Sequence, residues 1–212
     1  MVDTASPVAA PRTRRRKKPE DRRQDLLDAA VACLAEHGPR GATGREVCRR
    51  AGVSHGLLQH YFGAQEDLFL EAYEALSARF LDDLARALGA ASEPRIALRA
   101  LFQALFSKDW GGADIFGAWI AFWSMVGSDP RFARVHDEHK RRQESLLATA
   151  FQRRAPTAAG LPAEDCAMLM SAVMDGLWLE FCLSPGALAA ERAVDLCCKA
   201  LDRILGEAEA PN

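Results

Sequence analysis

The sequence predicts an all-α protein: a three-helix head followed by a helical bundle, with about nine helices in all. Three observations lead there. Apolar residues recur at helical spacing in one segment after another, and no alternating strand pattern runs longer than a few residues. Glycines and prolines fall between these segments, where they end one helix and open the next. With 212 residues, 49% of them hydrophobic, the chain can bury a sizeable core.

Residues 1–19 are rich in Ala, Pro and basic side chains and end in the run Arg14-Arg15-Arg16-Lys17-Lys18. They carry too little apolar surface to order themselves and read as a disordered basic arm, either a solvated tail or one that adds phosphate contacts. From Glu20 to Gly38, Leu26, Leu27, Ala30, Val31 and Leu34 mark the first helix, which His37-Gly38 closes. Thr43 and Glu46 have capping-box spacing: the hydroxyl accepts an orphan amide proton while the carboxylate reaches back, so a second helix starts there. Val47 faces inward, Arg45, Arg49 and Arg50 stay in water, and Gly52 can leave helical geometry. Ser54 is an N-cap residue for a third helix, which Leu58 and Phe62, four apart, pack down. Two helices restarted across so short a turn make a helix-turn-helix.

Gly63 then breaks the chain, and a long helix over about 65–88 presents Leu68, Ala72, Leu76, Phe80 and Leu84 on one face, joining head to body. Pro94 opens a helix to about Ser107, and Gly111-Gly112 separates it from an aromatic-rich one over about 113–127. Asp129-Pro130 starts an amphipathic helix to about Arg153, Pro162 opens another through Leu183, and the last covers about 189–205. The expected division is an arm over 1–19, a head over 20–65, and a ligand-binding and dimerisation domain over 66–212.

The formal net charge of −2 conceals an asymmetry. Residues 1–65 hold twelve Lys/Arg against seven Asp/Glu, whereas the remainder holds fifteen against twenty-two. A basic end on an acidic body suits a phosphate-binding module joined to something else. The longest apolar stretch, Ile115 to Val126, is too short to span a bilayer, and the first residues lack a secretory apolar region, so a cytoplasmic protein without a membrane partner is expected. Cys33, Cys48, Cys166, Cys182, Cys197 and Cys198 form no C-x-x-C pair and read as reduced core thiols. His136 and His139 have metal-compatible spacing, but charged neighbours point to a solvated face, so neither metal nor cofactor is expected. No catalytic constellation is present, and the chain is read as no enzyme.

The run Thr43-x-Arg45-x-Val47-x-x-x-Ala51-Gly52-Val53-Ser54-x-Gly56-x-Leu58-x-x-Tyr61-Phe62, followed by Glu66-Asp67-Leu68, resembles the N-terminal domain of the TetR family of bacterial transcriptional regulators. The resemblance implies that double-stranded DNA is a partner. In a helix-turn-helix the start of the second helix meets base edges. Ser54, His55, Gly56 and Leu57 stand there: His55 can hydrogen-bond a base, Gly56 lets the backbone come close, and Leu57 can touch a thymine methyl. Arg45 corresponds to a family position that reads guanine, Gln59 and Tyr61 to positions that contact backbone or base, and Thr43 to a phosphate contact. A Lys common in the family after Tyr-Phe is absent, since Gly63-Ala64-Gln65 stands there.

In the body, Trp119 and Trp123 share a helix face, with Phe122 nearby and Trp110 just upstream, while Asp175 lies within the apolar run Met168–Trp178. Acid and aromatics together suit a cation, although such residues also simply pack cores. The segments 118–123 and 174–179 are similar to those of the BetI branch, the choline-responsive repressors. The resemblance implies a homodimer on a palindromic operator, joined through the last two long helices, with Ala167, Met168, Ser171, Ala172, Val194, Cys198 and Leu201 as surface candidates. It also implies a small-molecule effector held by Trp119, Phe122, Trp123, Asp175 and Trp178, either choline or another quaternary ammonium compound, or a neutral hydrophobic molecule. A helical enzyme or carrier with an incidental helix-turn-helix is the rival reading.

Overall fold

The computed structural model describes residues 18–153 and 161–206, so most of the basic arm lies outside the described residues. Among them are ten α-helices and no strand. The head comprises α1 (Pro19–Gly41), α2 (Gly44–Ala51) and α3 (His55–Phe62), and α4 (Gln65–Gly89) leads out of it. The body adds α5 (Pro94–Leu105), α6 (Lys108–Gly111), α7 (Ala113–Val126), α8 (Pro130–Gln152), α9 (Ala163–Leu183) and α10 (Ala190–Ile204). The tenth helix is α6, a single turn in which Ser107 O accepts from Gly111 N at 2.7 Å, burying Trp110. Periodicity over so short a segment carries no signal.

Local chemistry in the head follows the sequence with two corrections. Thr43 Oγ1 accepts from Glu46 N at 3.3 Å, but the Glu46 carboxylate turns to Arg49, whose Nε donates at 2.8 Å, so only half the capping box forms. Ser54 caps α3 by backbone geometry and makes no side-chain capping bond. Gly52 takes the left-handed conformation, φ 66° and ψ 37°, which ends α2 and lets α3 restart. Leu26, Ala30, Leu34, Val47, Leu58 and Leu68 close the head's core. Gln65 occupies the place of the absent Lys region and acts as an internal latch. Its Nε2 donates to Ala42 O at 3.2 Å and its Oε1 accepts from Gly44 N, which satisfies an orphan amide of α2.

Three links join head and body. The α1 helix packs broadly along α7, where a Cβ added at Gly117 would sit 2.7 Å from Ala35 O, so these backbones touch directly. Arg131, at the start of α8, donates to Asp67 in the first turn of α4 at 2.6 Å and to the capping residue Asp129 at 2.8 Å. Arg23 of α1 pairs with Glu71 of α4 and lies 5.1 Å from the Phe62 ring centroid.

Tyr73 anchors the body's aromatic core. It is fully buried, stacks on Phe122 at 4.8 Å and Phe132 at 6.1 Å, and meets the Trp119 ring edge-on. Its hydroxyl hydrogen-bonds with His136 Nδ1 at 3.3 Å, and burial raises the phenol above its ordinary pKa. The expectation of a solvated histidine face fails for His139. It shares the buried row Phe132, His139, Gln143 and Leu147, and lies against Phe80 and Trp119 at 5.6 and 5.4 Å. Burial pushes its pKa down to about 4. All six cysteines are free thiols, with burial raising Cys182 to about 11 and Cys197 to about 12, so both stay protonated.

Among the described residues one helix, α9, is long and apolar enough by length and composition to cross a membrane, although Asp175 and Glu180 interrupt its apolar run. Its 18-residue window has mean hydropathy 1.5 and is 33% buried. One face packs on α8 and α10 through Cys166, Met170 and Met174, and the other stays uncovered.

Two outcomes are expected. Gly117→Ala would normally favour a helix, yet here overpacking at Ala35 should destabilise the fold by ~1–3 kcal/mol, read as a lower melting temperature. His139 is neutral when folded, whereas the unfolded imidazole takes a proton near its ordinary value of 6.5. Its contribution is therefore complete above pH ~6.5 and is lost as the pH falls towards ~4, on the order of 3 kcal/mol. Thermal melts across that range should show the decline, and His139→Gln should flatten it.

Candidate DNA-facing surface and effector cavity

The helix-turn-helix leaves one face free. Thr43 and Arg45, at the start of α2, are exposed, as are Ser54, His55 and Gly56 at the start of α3 and Gln59 one turn on. Leu57 and Tyr61 are half-buried, and Tyr61 packs partly against the core. A side chain at Gly56 would meet no heavy atom within 4 Å, so the fold itself has no steric need for glycine there. Neither Arg45 nor His55 has an ion-pair partner among the described residues, whereas Arg49 and Arg50 are held by Glu46 and Glu36. The unpaired donors thus gather where two helix N-termini emerge, an arrangement suited to phosphate and base edges.

The body encloses a small cavity of about 40 Å³ lined by Trp119, Trp123, Trp178 and Asp175. Two helices supply these four groups: α7 gives the first two rings, and α9 gives the third ring and the carboxylate. Trp123 stands 6.0 Å from each of Trp119 and Trp178. Phe122, expected in this set, is turned away and fully buried against Tyr73, because it lies about 100° around α7 from its neighbours. Sequence reasoning missed Phe80, Leu105, His139 and Gln143, which also line the cavity, with Trp110. Gln143 had a legible signal, a polar residue four beyond His139 on an otherwise apolar row.

The environment of Asp175 differs from its expected burial. Its side chain is 51% exposed and pairs with Lys140 Nζ at 2.6 Å. Lys140 also donates to Ser171 Oγ at 2.8 Å, which Gln143 Nε2 bonds at 2.9 Å. Trp178 Nε1 donates to Trp110 O at 2.9 Å and Trp110 Nε1 to Asp83 at 3.0 Å, so both indoles are fixed. Ligand pockets usually measure ~300–1,000 Å³. At 40 Å³ this one has room for about one water, and an ammonium already faces the acid.

Among the described residues no group of three or more His, Cys, Asp or Glu could hold a metal ion. Of the dimer-surface candidates, Ala167, Ser171, Val194 and Leu201 are buried within the protomer, while Met168 and Ala172 are exposed and Cys198 is half-buried. Helical periodicity identified apolar positions without saying which of the two apolar faces of α9 turns inward.

Residues 26–72 match the description "Bacterial regulatory proteins, tetR family" and residues 94–206 match "BetI-type transcriptional repressor, C-terminal". The HTH-type transcriptional regulator BetI of Burkholderia cenocepacia is 34% identical over 191 residues, covering 88% of this chain and 95% of that protein. A transcriptional regulator from Pseudomonas aeruginosa PAO1 has a similar solved structure, with TM-score 0.80, 34% identity, and coverage of 90% of this chain and 93% of the other. A more distant fold-mate from Saccharomonospora viridis was solved in complex with choline, at TM-score 0.75 and 16% identity, covering 86% of this chain and 96% of its own. The chain therefore belongs to the TetR family: it is a helix-turn-helix, DNA-binding transcriptional repressor with a BetI-type C-terminal domain, and not an enzyme.

Proposed function

We propose that this repressor acts in the cytoplasm as a homodimer on a palindromic operator and is released by a small molecule bound in the aromatic cavity. The observation that carries the effector reading is the convergence of three tryptophans and one carboxylate, from α7 and α9, on a single cavity. Arg45, His55, Gly56 and Leu57 would meet base edges, while Thr43, Ser54, Gln59 and Tyr61 would hold the phosphate backbone or neighbouring bases. Two-fold pairing is supported by the uncovered face of α9, where Met168 is 59%, Leu169 48% and Leu183 57% exposed. Such an apolar face is costly in water and suits a second copy, so that each protomer reads one half-site.

Choline or a related quaternary ammonium ion is the effector this reading favours. Indole faces attract a cation and Asp175 supplies the countercharge. In the closed arrangement Lys140 neutralises that carboxylate, so the ligand must displace the ammonium and open the cavity. The same ion pair favours the second reading, a neutral hydrophobic effector that leaves Lys140 in place. Occupation of the cavity shifts α7 against α1, and α8 against α4 through Arg131, which moves the heads. A coupling of ~1–3 kcal/mol suffices for a switch.

Gel shifts on the DNA upstream of the protein's own coding sequence test this directly. Choline should raise the protein concentration needed for half-saturation about tenfold. With a cation effector, Asp175→Asn abolishes the response and Lys140→Met, by freeing the acid, sharpens it; a neutral effector acts equally on all three proteins while choline does nothing. Light scattering on Met168→Glu should show a shift from dimer to monomer, accompanied by loss of operator binding, because a charge cannot enter an apolar interface unpaired.

A further inference from the structure

A second, larger concavity lies on the other side of His139. The groove between α4 and α8 encloses about 410 Å³, within the range of ligand pockets and about ten times the aromatic cavity. Its walls are apolar, formed by Leu70, Ala78, Leu81 and Val135. Ser77 and His139 also line it, only 4% and 9% exposed, and Ser77 Oγ and His139 Nδ1 have no hydrogen-bond partner among the described residues. Two such orphans in one lining are unusual, since buried polar groups are nearly always paired.

The charges at the rim are uneven. Arg131 is taken up by Asp67 and Asp129, and Glu138 by Arg141. Arg134 and Arg142 are exposed and have no ion-pair partner among the described residues, which leaves two guanidinium groups against Glu74 alone. His139 is neutral at physiological pH, because burial lowers its pKa to about 4, so its nitrogen offers a hydrogen bond rather than a charge.

We infer that the α4–α8 groove is a second small-molecule site, separate from the aromatic cavity, and that it takes an apolar organic carboxylate carrying a hydroxyl or carbonyl group. The carboxylate sits at Arg134 and Arg142, the body lies on the leucine and valine walls, and the polar group satisfies Ser77 and His139. A ligand there touches both helices that the Arg131–Asp67 pair holds together, which places it on a path to the head.

Calorimetry on the full chain with 8-hydroxyoctanoate, octanoate and 1,8-octanediol tests this without reading DNA or choline binding. The hydroxy acid should bind tightest, with the acid lacking the hydroxyl and the diol lacking the charge each weaker by about tenfold. Ser77→Ala should reduce the hydroxy acid to the affinity of octanoate, and Arg134→Gln with Arg142→Gln should reduce it to that of the diol. The melting temperature of the same arginine variant should be unchanged, which separates loss of this site from loss of the fold. No heat with any of the three probes, equal affinity for diol and acid, or affinities indifferent to both sets of substitutions would overturn the assignment.

Discussion

The contact of Gly117 with the backbone of Ala35 sets how the molecule works. A helix of the head and a helix of the body approach so closely that a single methyl group at position 117 would press on a carbonyl oxygen. Such backbone contact has little compliance, because packed interiors yield by switching arrangement rather than by stretching. The same α7 carries Trp119 and Trp123 on its other side. In the proposed switch, a ligand that enlarged the aromatic cavity would push on a helix whose far face rests on α1.

A second connection runs beside the first. The sequence pointed to the long helix from Gln65 as joining head to body, and α4 is indeed shared by both. It does not act alone: Arg131 fastens its first turn to α8, and Gln65 fastens the same turn to the entry of α2. The amide thus does structural work inside the head, at the place where the family resemblance leads one to expect a Lys.

Much of this was legible in the residues. The caps, the left-handed Gly52 and the Leu58–Phe62 stripe located the reading head, because turn chemistry is local and leaves an unambiguous trace. The all-α body followed from periodicity. What failed depended on which way a helix turns. Phe122 and Trp123 are adjacent in sequence yet face different environments; Ala167 and Met168 likewise divide between core and solvent. Asp175 has apolar sequence neighbours, but α9 has two apolar faces and the acid is half exposed beside Lys140. His139 erred in the opposite direction, charged in its sequence neighbourhood and buried in space.

Lys140 and Asp175 pair beside the small aromatic cavity, and the proposed signal runs from there to the head. Amide hydrogen exchange of the intact protein with and without choline measures this most directly. If the α1–α7 contact carries the signal, protection changes in α7 and in the stretch of α1 around Ala35 together, with the first turn of α4 following. Changes confined to the tryptophans of α7 and α9, with α1 unaltered at saturating ligand, would contradict it.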